Sequence, residues 1–251
     1  MTSSTNEYNI INDDCINGLK TLPEQSVNLI LTDPPYNLGK FMKERATNLK
    51  QLRPNYFGAA GWDDLGFDEW QQSMDTLFEE AGRVIVSGGS MIVFMSIIKV
   101  ETLIRLAQNH GFYYKTTGIW HKKNPMPRNM NLHFINSTEA WVYFTYNKRT
   151  GTFNNNGKAV HDFFETGLTP KAEGEYGRHP TQKPVSLLEQ MILLLSNEGD
   201  VVLDPFMGSG STGVAALKNN RKFVGIELNK DYFEICSKRL KDTIDNDTQT
   251  D

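Results

Sequence analysis

Residues 201–227, VVLDPFMGSGSTGVAALKNNRKFVGIE, restrict the fold more than any other stretch of the chain. An apolar run at 200–203 reads as a buried strand and feeds a turn carrying Gly208, Gly210 and Gly213. A helix over 212–219 and a second strand over 222–227 follow. Only one more helical pattern, 230–240, comes before a polar tail at 241–251 that is expected to fray. This strand–helix–strand unit therefore has to join a sheet whose other strands come from the amino-terminal part.

Those strands are legible. Tyr8 to Asn12 reads as a short strand, followed by a helix at 16–21 and a buried strand from Val27. Phe67, Trp70, Met74, Leu77, Phe78 and Ala81 repeat at helical spacing, which marks core packing. Gly88 and Gly89 break the chain before a strand at 91–95. A helix near 97–109, strands at 113–121 and 140–146, and a helix opened by Pro184 complete the pattern. Alternating strands and helices give an α/β, doubly wound, mostly parallel sheet. We read one domain over 1–251, with a mobile loop at 37–66 and a target-recognition insertion at about 121–178, interrupted by the core strand at 140–146. Loops of this length are uncommon unless functional.

The strand from Val27 ends abruptly in Asp33-Pro34-Pro35-Tyr36. Two prolines cannot donate to a ladder, so a carboxylate, a stiff turn and an aromatic ring sit at its carboxyl end. That edge is where open α/β sheets bind ligands. The Asp33 carboxylate and Pro34 carbonyl can accept both hydrogens of a planar exocyclic amine and leave its nitrogen lone pair free. Tyr36 can stack on the attached ring. The bland alternative is a proline-rich loop, and four letters alone do not decide between them.

Composition excludes several classes. A hydrophobic content of 39% and a charged content of 22% are ordinary for a globular protein, and the net charge of −4 argues against a non-specific nucleic-acid coat. Basic residues are nevertheless clustered. Lys40, Lys43, Arg45, Lys50 and Arg53 face only Glu44 within 40–53, and His121, Lys122, Lys123 and Arg128 follow a strand. Solvated surface is one account of these clusters; a nucleic-acid contact at the sheet edge is the other. Two cysteines, Cys15 and Cys236, fit buried thiols in a reducing cytoplasm. No signal core or membrane span is present, and no His or Cys spacing suggests a metal.

The glycine turn has rival readings. Glu227 lies 19 positions after Gly208, at the end of the next strand, a spacing suited to gripping ribose hydroxyls. A nicotinamide enzyme would share that spacing. However, Asp204 precedes the glycines, where it would repel a pyrophosphate but pair with a ligand ammonium. A phosphate-binding P-loop lacks its lysine here. A ligand with an amino group, a ribose and no phosphate describes S-adenosylmethionine.

Taken together, Asp33-Pro34-Pro35-Tyr36, the turn DPFMGSGSTG at 204–213 and HPTQKP at 179–184 resemble the β group of DNA amino-methyltransferases, over roughly residues 8–240. The resemblance implies a seven-stranded methyltransferase sheet with one antiparallel strand and inserted DNA-recognition loops. It places S-adenosylmethionine against Asp33, Asp204, Phe206, Gly208, Ser209, Gly210 and Glu227, with His179, Thr181, Gln182 and Lys183 near its methionine part. Asp14 would approach the adenine, although Asp13 stands where the family commonly has glycine. Lys183 also has a bland reading, as a solvated residue ahead of a helix. Asp33, Pro34, Pro35 and Tyr36 would be catalytic. Lys40, Lys43, Arg45, Lys122, Lys123 and Arg128 would meet double-stranded DNA.

Adenine N6 is the implied target, because the family's cytosine-N4 enzymes more often begin this motif with serine. A cytosine-N4 enzyme, an RNA base methyltransferase, a non-catalytic cofactor- or DNA-binding subunit and an NAD-dependent oxidoreductase are the alternatives. A homodimer and a paired restriction endonuclease are left open.

Overall fold

The computed structural model describes residues 7–38, 65–125, 134–177 and 179–247. Its centre is an eight-stranded sheet in the order β1-β8-β7-β2-β3-β5-β4-β6. The strands are β1 (Tyr8–Ile11), β2 (Val27–Thr32), β3 (Ile85–Met95), β4 (Phe112–Lys122), β5 (Thr138–Tyr146), β6 (Phe163–Thr166), β7 (Val201–Asp204) and β8 (Lys222–Ile226). Strand β5 runs antiparallel to both its neighbours, β3 and β4, and all other pairings are parallel.

The expected seven strands become eight because β6 forms inside the polar stretch 147–178 and pairs with β4 from Ile119 opposite Phe163 to Lys122 opposite Thr166. Only Phe164 of this short edge strand is buried, so no apolar alternation announces it.

Helices α1 (Cys15–Lys20), α2 (Phe67–Val84) and α3 (Val100–Asn109) pack on one face of the sheet, and α4 (Val185–Leu195), α5 (Ser211–Leu217) and α6 (Lys230–Asp247) on the other. The stripe on α2 buries Trp70, Met74, Leu77, Phe78 and Ala81 as its spacing requires, while Phe67 stays exposed at the first turn. The Glu69 carboxylate accepts the Gly66 N–H at 2.9 Å and so supplies the start of α2.

Two boundaries differ from expectation. Gly88 and Gly89 do not end a segment: β3 runs through them, and its register on β2 jumps from Val27 opposite Ile85 to Leu29 opposite Ser90. Gly88, at φ +88°, absorbs that irregularity. Helix α6 also continues past 240 to Asp247, because Leu240 and Thr243 are buried and hold its later turns on the protein.

The site follows from the strand order. From central β2 the chain moves outward to β3, and from adjacent β7 it moves the opposite way to β8. The carboxyl ends of β2 and β7 thus flank the point where winding reverses, the usual ligand position in such sheets.

Candidate active site

Asp33 emerges from β2 one residue after Thr32, and Asp204 is the last residue of β7 rather than part of the following turn. The two strands are tied across their ends, since Thr32 Oγ1 donates to Asp204 Oδ1 at 3.0 Å. Asp204 also accepts the Thr212 hydroxyl at 2.7 Å and the Phe206 N–H at 3.1 Å. Burial pushes its carboxyl up to about 7, against those three donors.

The glycine turn is tightly built. Gly208 and Gly210 sit at φ +52° and +83°, in the left-handed region. A Cβ at Gly210 would overlap the buried Cys236 sulfur of α6. The Gly208 N–H donates to Glu227 Oε2 at 2.9 Å, and the other Glu227 oxygen accepts the Asn229 N–H at 2.8 Å. Arg239 from α6 donates to the Ser209 carbonyl at 2.7 Å and approaches Glu173 Oε2 at 4.0 Å. In the sequence it stands between Lys238 and Lys241, with nothing to single it out.

Asp33 is held by a charged cluster. Lys183 Nζ pairs with Asp33 Oδ2, and the Tyr36 hydroxyl donates to Asp33 Oδ1 at 2.8 Å. Lys183 also reaches Glu139 Oε2 at 3.1 Å, the Tyr36 hydroxyl reaches the same oxygen at 3.0 Å, and Lys122 pairs with Glu139 Oε1. The Lys183 ammonium lies 4.9 Å from the Phe94 ring centroid and 5.9 Å from those of Tyr36 and Trp120. Lys183 is buried rather than solvated, so the bland reading of this lysine does not hold.

The titration pattern follows from this packing. Burial opposes the Lys183 ammonium, but Asp33 and Glu139 outweigh it and hold the lysine above its ordinary value. Burial would likewise raise Glu139, yet the Lys183 and Lys122 ammoniums bring it down to about 2. Asp33 is raised, chiefly by burial, with Lys183 and Tyr36 pulling the other way.

One cleft joins the two halves. Its walls include Asp33, Phe94, His179, Thr181, Gln182, Lys183, Asp204, Phe206, Gly208 and Ser209. The Gln182 side chain bridges to the glycine turn by accepting the Ser209 hydroxyl at 2.9 Å. Burial, reinforced by Lys183, lowers the His179 imidazole to about 4. Its ring stands edge-on to Tyr232 at 4.4 Å.

Other expected residues sit elsewhere or are engaged differently. The Asp14 carboxylate caps α1, accepting the Ile16 N–H at 2.9 Å. Lys122 turns inward to Glu139, while the more exposed Lys123 pairs with Glu165 at 3.2 Å. Lys40, Lys43, Arg45 and Arg128 lie outside the described residues. Asn37, directly after Tyr36, donates to the Leu65 carbonyl at 3.1 Å and ties the two ends of that loop together. Sequence reasoning missed Glu139, a single carboxylate entering an apolar strand. Among the described residues no group of His, Cys, Asp and Glu could hold a metal, no helix is long and apolar enough to cross a membrane, and both cysteines are buried and unbridged.

A doubly wound sheet whose proline-ended strand and glycine turn open on one cleft defines a ligand-binding protein of the α/β class. The DNA methylase family of N6/N4 methyltransferases matches residues 27–238, and the chain belongs to that family. It is 33% identical to the Type II methyltransferase M.HinfI of Haemophilus influenzae, over 96% of this chain and 71% of that protein. It is 31% identical to the Type II methyltransferase M2.DpnII of Streptococcus pneumoniae, over 94% and 90% of the two chains. Among solved structures, the M1.HpyAVI–SAM complex matches with a TM-score of 0.66 and 28% identity, over 93% of this chain and 99% of that one. The cytosine-N4-specific PvuII DNA methyltransferase shares the fold, with a TM-score of 0.74 at 18% identity over 95% and 90% of the chains.

Proposed function

We propose that this chain transfers a methyl group from S-adenosylmethionine to the N6 amino group of adenine within a specific short sequence of double-stranded DNA. The observation that carries the proposal is the shared cleft: Asp33 and the glycine turn line the same walls, so an amine at one and a methyl donor at the other meet. The residues fit the donor. The turn at Gly208 and Gly210 brings backbone close to a ligand, Asp204 offers a carboxylate to an ammonium, and Glu227 stands at the neighbouring strand end for ribose hydroxyls. S-adenosylmethionine supplies an electrophilic methyl on a sulfonium.

The chain's own residues do the rest. Asp33 and the Pro34 carbonyl accept the two amine hydrogens, which favours a pyramidal nitrogen with its lone pair directed at the methyl. The methyl–sulfur bond breaks as the nitrogen–carbon bond forms, a neutral thioether leaves, and one amine proton passes through Asp33 to solvent. Tyr36 offers its ring for stacking, and in the free protein its hydroxyl donates to Asp33. A paired base cannot reach this buried edge, so the adenine is flipped out of the duplex. Adenine is favoured over cytosine by the aspartate that begins the motif. Residues 121–136 and 147–178 are assigned to target recognition and 40–66 to a clamp on the duplex. The relatives named Type II methyltransferases support a role in restriction-modification.

The test is incubation with methyl-labelled S-adenosylmethionine and genomic DNA, then digestion and chromatography of the nucleosides. Label in N6-methyladenine is expected. Label in N4-methylcytosine would replace the proposed base, and unlabelled DNA alongside labelled RNA would replace the proposed substrate.

A further inference from the structure

Glu139 is the second residue of β5, the one reversed strand, which lies on the other side of β2 from the β7 strand that carries Asp204. Both of its oxygens are engaged. Oε1 meets Lys122 Nζ; Oε2 accepts Lys183 Nζ at 3.1 Å and the Tyr36 hydroxyl at 3.0 Å. Among the described residues, both side chains that donate to Asp33 therefore also lie within hydrogen-bond reach of Glu139.

Counting hydrogens gives this sharing a meaning. The Tyr36 hydroxyl has one hydrogen but faces two carboxylates, so it can satisfy only one at a time. Lys183 has three and touches both. A carboxylate that already holds an ammonium and a hydroxyl has less to offer an incoming neutral amine. Nearby, a second carboxylate provides somewhere for those donors to go. Lys122, on β4, brings the charge that lets Glu139 be there: two lysines face two carboxylates in a buried cluster.

We propose that Glu139 is a positioning residue for the target amine. It draws the Tyr36 hydroxyl and the Lys183 ammonium away from Asp33 as the amine arrives, so Asp33 meets the amine with free lone pairs. This rests on the reading that Asp33 receives the amine. A merely structural Glu139 would tie β4 to β5 through Lys122; its charge would still act on Asp33, so transfer that falls while binding holds is the readout that separates the two roles.

Glu139→Gln keeps the shape, removes the charge and sets an amide hydrogen against one of the shared donors. Two measurements test it. The first uses the free protein, with neither cofactor nor DNA: carbon-13 NMR titration of labelled aspartate carboxyls, with the Asp33 signal identified by its loss in Asp33→Asn. The groups facing Asp33 are Lys183 and Tyr36, Glu139 with Lys122 behind it, Asp204 at the end of β7 and His179 beside Lys183. Of these, only Glu139 is changed. Losing a negative neighbour while Lys183 keeps Asp33 as its sole carboxylate should move the Asp33 midpoint to lower pH.

The second measurement is single-turnover transfer at saturating S-adenosylmethionine and DNA. It should fall about tenfold or more, with both dissociation constants within about twofold of wild type, because the interaction acts as the amine is engaged. An unmoved Asp33 midpoint overturns the proposal, as does unimpaired transfer or a loss confined to binding. If Glu139→Gln does not fold, Glu139→Asp carries the test. It retains the charge but shortens the reach, so transfer should still fall, and normal transfer overturns the proposal. Wild-type protein that fails to methylate DNA would defeat the functional reading and leave the titration result standing by itself.

Discussion

Thr212 donates its hydroxyl to Asp204 across 2.7 Å, so the first turn of α5 is fastened to the end of β7 through the carboxylate that faces the cleft. Asp204 is held by hydrogen bonds that favour its charged form, yet burial keeps its carboxyl near 7. A ligand ammonium would shift that balance. Binding should lower the Asp204 pKa and release protons, so affinity for S-adenosylmethionine should rise with pH up to about 7. It should fall again as the ligand's own α-amino group loses its proton at about 8. One group limits the slope to about tenfold per pH unit. Calorimetry across pH 5.5–8.5 checks this, and Asp204→Asn should flatten the rise.

The glycine turn predicts an ordering of two substitutions. Gly210→Ala meets both a left-handed backbone and the Cys236 sulfur, whereas Gly208→Ala meets the backbone alone, with its nearest neighbour atoms, on His179, at 3.6 Å. The backbone conformation costs about 1–2 kcal/mol and overpacking about 1–3 kcal/mol more. Denaturant unfolding should rank Gly210→Ala as the less stable protein. Equal losses would mean that Cys236 yields without cost.

Lys183→Met removes the buried cation shared by two half-buried carboxylates. Breaking a fully buried pair from one side costs about 3–5 kcal/mol, and partial exposure of both carboxylates should bring this loss below that range at neutral pH. The sign with pH follows. Without the ammonium, Asp33 is raised further in the folded state and Glu139 loses one of its two cations, so the variant binds protons more readily when folded than wild type does. Its deficit should shrink as pH falls through their raised values and grow as pH rises. Urea unfolding of wild type and variant from pH 4 to 8 measures the difference, and a deficit independent of pH would contradict the ion-pair account.

Much of this was legible in the chain, for physical reasons. The βαβ unit at 201–226 and the strand ended by two prolines announced themselves through apolar runs and residues that cannot continue them. Asp33, Asp204 and the glycines stand at strand ends, where sequence and position coincide. Glu139 and Lys122 also stand near strand ends, but no motif surrounds them. Their meaning comes from β4 and β5 setting Lys122 against Glu139 and Glu139 against the donors of Asp33, more than a hundred residues away in the chain. The position of Lys183 is of the same kind. The motif around it suggested a cofactor contact, but the fold carries its ammonium across 150 positions to Asp33. Strand β6 escaped because an edge strand with one buried side chain has no periodicity to read.

The central claim is that Asp33 accepts the target amine and promotes methyl transfer. Asp33→Ala leaves the glycine turn intact, and single-turnover transfer to adenine-containing duplex measures it directly. Losing one preorganised partner in a buried site should reduce transfer by about a hundredfold or more. Cofactor and DNA binding should be little changed, and Asp33→Asn, with one acceptor oxygen left, should be impaired less. Near-normal transfer by Asp33→Ala would contradict the account, and loss of binding alone would make Asp33 a structural or cofactor residue instead.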